Sequence, residues 1–149
     1  KDQYSWHEIK PRWPGIETYQ ELIDSLLTRV NAWLEENQLD VEKLDLMGFS
    51  QGASMAYAMA ILYPDKVGRI AAIAGFIPKP WKENLQQVSL EGKAFFVAHG
   101  TQDDIVPVEK AQEAASWLKE NNAQVTFCSA ETGHKISANC FKGLGDFFR

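Results

Sequence analysis

The stretch Leu44-Asp45-Leu46-Met47-Gly48-Phe49-Ser50-Gln51-Gly52-Ala53-Ser54-Met55-Ala56-Tyr57 changes character at its serine. Before Ser50 it has the length and composition of a short strand that ends abruptly at Gly48-Phe49. After it, small and apolar residues (Ala53, Met55, Ala56, Ala58, Met59, Ala60, Leu62) continue to Tyr63 and predict a helix that is apolar nearly all round, hence buried. Pro64 stops that helix. Gly48-Phe49-Ser50-Gln51-Gly52 is therefore Gly-x-Ser-x-Gly set between a strand and a helix, the context a nucleophile elbow requires. The motif also occurs by chance in a plain strand–turn–helix. What separates the two readings is whether matching chemistry lies further along the chain.

Working outward, Pro14-Gly15 hands over to a helical segment over 16–36. Its stripe Tyr19, Leu22, Ile23, Leu26, Leu27, Val30, Trp33 and Leu34 recurs at three and four, and Asn37 is its stop. Downstream, Arg69–Phe76, Lys93–Ala98 and Val125–Ala130 are apolar runs of strand length without strict alternation, which suits strands covered on both faces. A helix with Ala111, Ala114, Ala115 and Leu118 inward separates the last two. The stripe Ile136, Phe141, Leu144, Phe147 and Phe148 predicts a closing helix. Residues 77–92, with Pro78, Pro80 and Trp81, read as an excursion rather than core. The alternation calls for one α/β domain over 1–149, a mostly parallel sheet with helices on both faces.

Composition narrows the function. A net charge of −5 offers nothing to nucleic acid or an anionic membrane, and no apolar run approaches the ~20 residues of a membrane span. Lys1-Asp2-Gln3-Tyr4 is no signal peptide. Two cysteines make no disulfide framework. Cys128 and Cys140 are each expected to be a buried small hydrophobe, reduced in a cytoplasmic protein, with one disulfide between them left open by their spacing.

Two further stretches end strands, where parallel sheets place functional groups. His99-Gly100-Thr101-Gln102-Asp103-Asp104-Ile105-Val106-Pro107 offers two acids, Asp103 and Asp104, one of which could instead cap the helix starting near Pro107. Gly133-His134 follows the last strand. A lone histidine is ordinarily a surface or core residue, but His134 completes the order Ser…Asp…His. His7 lies outside any strand end, and His99 suits a structural, hydrogen-bonding part.

Together these stretches, with Ile73-Ala74-Gly75-Phe76-Ile77-Pro78, resemble the phospholipase/carboxylesterase family of α/β-hydrolases, over nearly the whole chain. The resemblance implies the α/β-hydrolase fold and selects Asp103 as the acid. It makes residues 76–81 and the segment before Pro14 walls of an acyl pocket. It also implies early strands, and a loop supplying a second oxyanion donor, that nothing here matches. The expectation is thus a chain N-terminally incomplete with respect to that fold, with Leu44–Phe49 as an open sheet edge, covered by a missing segment or a homodimer partner.

The implied chemistry is acyl transfer. Ser50 is the nucleophile, His134 the base, Asp103 its orienting acid, and the N–H of Gln51 the first oxyanion donor. Phe49, Phe76, Ile77, Trp81 and Ile105 suggest a hydrophobic acyl chain of short to medium length on a small ester. No metal or organic cofactor is called for. The alternatives are an acyl-protein thioesterase, a lysophospholipase, or an inactive fragment or binding module that kept the motif.

Overall fold

The computed structural model describes residues 14–85 and 88–149. The segment before Pro14, including His7, lies outside the described residues. Four strands, β1 (Leu44–Phe49), β2 (Val67–Ile73), β3 (Ala94–Gly100) and β4 (Gln124–Ala130), form one parallel sheet in the order β1-β2-β3-β4. The helices are α1 (Gln20–Glu36, entered through a 3-10 turn at Ile16–Tyr19), α2 (Gln51–Leu62), α3 (Lys79–Asn84), α4 (Val108–Glu120) and α5 (Ala138–Phe148).

Each strand pairs with its successor, so every crossover steps across the sheet in the same direction. With right-handed crossovers, the connecting helices then fall on one face. The period of two sorts the strand residues accordingly. Ile70, Ala72, Phe95 and Val97 join the large cluster with α2 and α4, while Ala71, Ile73, Phe96 and Ala98 face Cys140 and Leu144 of α5. As α5 follows the last strand and returns to none, it is free to take the other face.

The nearly all-apolar α2 is buried from Ala53 to Ile61, as its composition requires. The stripe on α1 buries Ile23 and Leu27 but runs out towards the C-terminus, where Trp33 is exposed. β1 is the outer strand among the described residues, and only Gly48 along it is buried. Its Met47 and Phe49 side chains are exposed.

Two expectations need correction. Residues 77–92 are not a mere excursion: Ile77, Trp81 and Leu90 are core residues. Trp81 is fully buried, its indole N–H donating to the Pro14 carbonyl at 2.9 Å and its ring edge-on to Tyr19. Nor are the cysteines reduced, because Cys128 of β4 and Cys140 of α5 are joined in a disulfide. The spacing gave no hint of it, since β4 and the first turn of α5 come together only after the chain reverses. No helix among the described residues is long and apolar enough to cross a membrane.

Candidate active site

The strand register aligns Phe49 with Ile73, Ile73 with Ala98 and Gly100 with Ala130, so three strand ends open onto one edge of the sheet. Ser50 stands at the first of them, in the turn from β1 to α2. Its φ of 54° is a left-handed conformation that costs a non-glycine residue about 1–3 kcal/mol. The turn is fixed from both sides: Ser50 N–H donates to the Ile73 carbonyl at 2.8 Å, and the Ser50 carbonyl accepts from Ala53 N–H at 3.0 Å. It is also tight, since a Cβ at Gly48 would lie 2.1 Å from the Gly52 carbonyl oxygen. A glycine at position 48 is thus a steric requirement of this turn.

Asp103 follows β3. Its Oδ1 accepts the backbone N–H groups of Ile105 and Val106, both at 2.9 Å, and its side chain is fully buried. Burial alone would raise its pKa. The N–H of Val106, then His134, then the N–H of Ile105 outweigh it and hold the carboxyl below its ordinary value. His99, also buried, lies 2.7 Å through Nε2 from the Val106 carbonyl and 3.3 Å from Asp103 Oδ2, the structural part expected of it. Asp104 is exposed, and no side chain caps α4.

His134 follows β4. Its Nδ1 is 2.7 Å from Asp103 Oδ2 and its Nε2 2.9 Å from Ser50 Oγ. With the Nδ1 proton donated to the carboxylate, Nε2 is left to accept from the serine hydroxyl. Such a chain can take the proton from Ser50 as its oxygen attacks an electrophile. The loops carrying Asp103 and His134 touch directly: Gln102 N–H donates to the Thr132 carbonyl at 3.0 Å. A Cβ at Gly100 would lie 2.1 Å from that same oxygen, so residue 100 must be small for His134 to reach Asp103.

The Phe49 ring meets the His134 imidazole edge-on, with centroids 4.9 Å apart. Gln51 is the first residue of α2, whose N-terminus faces the serine turn. Phe76, Ile77 and Ile105 line a cavity of about 450 Å³ together with Val106, Pro107 and, at its rim, Lys79, Lys110 and Glu113. Trp81 is not among its walls, being consumed by the core. Val106 and Pro107 were not foreseen as walls, although the chain turn after Asp103 had to put them beside Ile105. The rim charges left no periodic signal.

Comparison with known proteins gives a consistent result. The model of a family described as phospholipase/carboxylesterase matches residues 4–149. An acyl-protein thioesterase 1 of Kluyveromyces lactis is 32% identical over 114 residues, 72% of this chain and 49% of that protein. The carboxylesterase SOBER1 of Arabidopsis thaliana is 32% identical over 99 residues, 64% of this chain and 43% of that one. The chain therefore spans half or less of the length of these curated relatives. Among solved structures, esterase PE8 superposes with a TM-score of 0.77 at 25% identity, covering 98% of this chain and 69% of that one. A carboxylesterase of Bacillus cereus gives 0.67 at 23% identity, covering 79% and 55%.

Proposed function

The chain belongs to the phospholipase/carboxylesterase family of α/β-hydrolases, and on that premise we propose that it is a serine hydrolase that cleaves carboxylic esters of short to medium acyl chains. The observation that carries this reading is the continuous contact from Ser50 through His134 to Asp103.

Ser50 Oγ attacks the ester carbonyl while its proton passes to His134 Nε2, and Asp103 holds the imidazole and balances the charge it gains. The oxyanion of the tetrahedral intermediate meets the N–H of Gln51 at the start of α2. His134 then gives its proton to the departing alcohol, and water, deprotonated by the same imidazole, releases the acid. Phe76, Ile77 and Ile105 take the acyl chain, with Phe49 packed against the imidazole beside it.

A thioesterase reading is supported by the name of the Kluyveromyces relative, and a lysophospholipase by that of the family. The same three residues would serve each, because only the leaving group differs.

Ser50→Ala should abolish hydrolysis of p-nitrophenyl butyrate while leaving the melting temperature of the protein within a few degrees. Turnover that persists in a folded Ser50→Ala protein would refute the assignment. A parallel comparison of butyryl ester with butyryl thioester decides between the leaving groups.

A further inference from the structure

We infer that the Cys128–Cys140 disulfide is a positioning element for His134, and that its reduction lowers turnover without unfolding the protein. This rests on the serine-hydrolase reading above. His134 stands at the midpoint of the segment the bond closes, six residues from each cysteine.

The imidazole must satisfy two partners at once on two other loops, Asp103 Oδ2 at 2.7 Å and Ser50 Oγ at 2.9 Å. Beyond these, the Phe49 ring packs against the imidazole and Ile136 packs on the cluster under α5. None of residues 131–137 is buried. Of the backbone hydrogen bonds there, Thr132 N–H to Ala130 and Lys135 N–H to Gly133 stay within the turn, Phe141 N–H to Ser137 ties its end to α5, and Gln102 N–H to Thr132 reaches another loop. The Ser137 hydroxyl caps α5 by accepting from Cys140 N–H at 3.2 Å.

The two arms are held by backbone pairing and partial burial more than by deep burial. β4 is the outer strand on its side of the described sheet and has no fully buried residue, while α5 buries only Cys140 and Leu144. A covalent bond between these arms removes open conformations of the closed segment; the gain is smaller than for a long loop, but it falls wholly on the stretch that carries His134. The large cluster under α2 and α4 does not include either cysteine, so the sheet should outlive the bond.

Reduction by a dithiol converts the disulfide to two cysteine thiols and the dithiol to its own disulfide, as a reducing compartment would. The His134 turn then samples positions in which one of its two contacts is lost. As small misplacements of a reacting group cost up to about 10²-fold, kcat should fall by about ten- to a hundredfold. KM should hold, because Phe76, Ile77 and Ile105 lie on other segments.

The test measures kcat and KM for p-nitrophenyl butyrate in the air-oxidised protein, after dithiothreitol, after reoxidation, and in the pair variant Cys128→Ser/Cys140→Ser. Circular dichroism follows the fold, and alkylation mass shifts count the thiols. A fall in kcat on reduction at constant KM, reversed by reoxidation and absent in the variant, supports the inference. Full kcat in the folded, doubly alkylatable protein overturns it, and so do two free thiols in the oxidised preparation. If neither form turns over any ester, it is the hydrolase reading that fails. The downfield proton resonance of His134 Nδ1–H then still decides: its loss on reduction supports the positioning role, and its persistence refutes it.

Discussion

The loop after β3 carries Asp103 and the loop after β4 carries the His134 that links it to Ser50, and the two loops are held by different means. Asp103 is buried, and every contact that fixes it is a hydrogen bond: two backbone N–H groups on Oδ1, His134 on Oδ2, and His99 bracing the turn through the Val106 carbonyl. His134 sits on a segment with no buried residue, between two lightly buried arms joined by a disulfide. On the proposed mechanism the acid only orients and compensates charge, so it can be immobilised. On that mechanism the base must stay reachable by substrate, water and leaving group, and the covalent tie outside the site is the constraint we infer for it.

The contrast is broken most severely at the acid. Asp103→Asn keeps the turn but presents the wrong hydrogen-bonding pattern to Nδ1, and kcat should fall by roughly 10⁴, as wrong-tautomer substitutions do. Steady-state kinetics on a short ester checks this. A loss beyond about tenfold in Asp104→Asn instead would mean that the exposed neighbour, not the buried residue, supports His134.

The next effect is on stability. The folded-state pKa of Asp103 is lowered, so its contribution is fully present above the ordinary carboxyl pKa of about 4 and is lost as pH falls through the lower folded value. Urea midpoints of the wild type and Asp103→Asn should differ at neutral pH by about 1–3 kcal/mol and converge in acid. A gap that widens on acidification would contradict the hydrogen-bonded account of this loop. The loop of His134 should answer to dithiothreitol instead.

The nucleophile's turn was more legible in the sequence than the acid's loop. Gly48-Phe49-Ser50-Gln51-Gly52 states its own geometry, since Gly48 is dictated by contacts with Gly52 and Ala53, only a few residues on. The apolar strand runs were equally plain, because a parallel sheet under helices leaves few polar positions. Choosing Asp103 over Asp104 needed the family resemblance: both sit in the same turn, and only the folded chain shows which one the Val106 N–H reaches. The disulfide and Trp81 were misread for a common reason. Each owes its environment to a partner distant in space or sequence, Cys140 across a reversal and Pro14 across 67 residues, and no local pattern encodes such a meeting.

The central claim is that Ser50, driven by His134 and Asp103, is a working nucleophile. The most direct measurement is the intact and peptide mass of the oxidised protein after treatment with a fluorophosphonate, beside a Ser50→Ala control. The account predicts one adduct per chain, on the peptide containing Ser50, and none in the control. A folded wild-type protein that takes no adduct, or takes it on another residue, would contradict it.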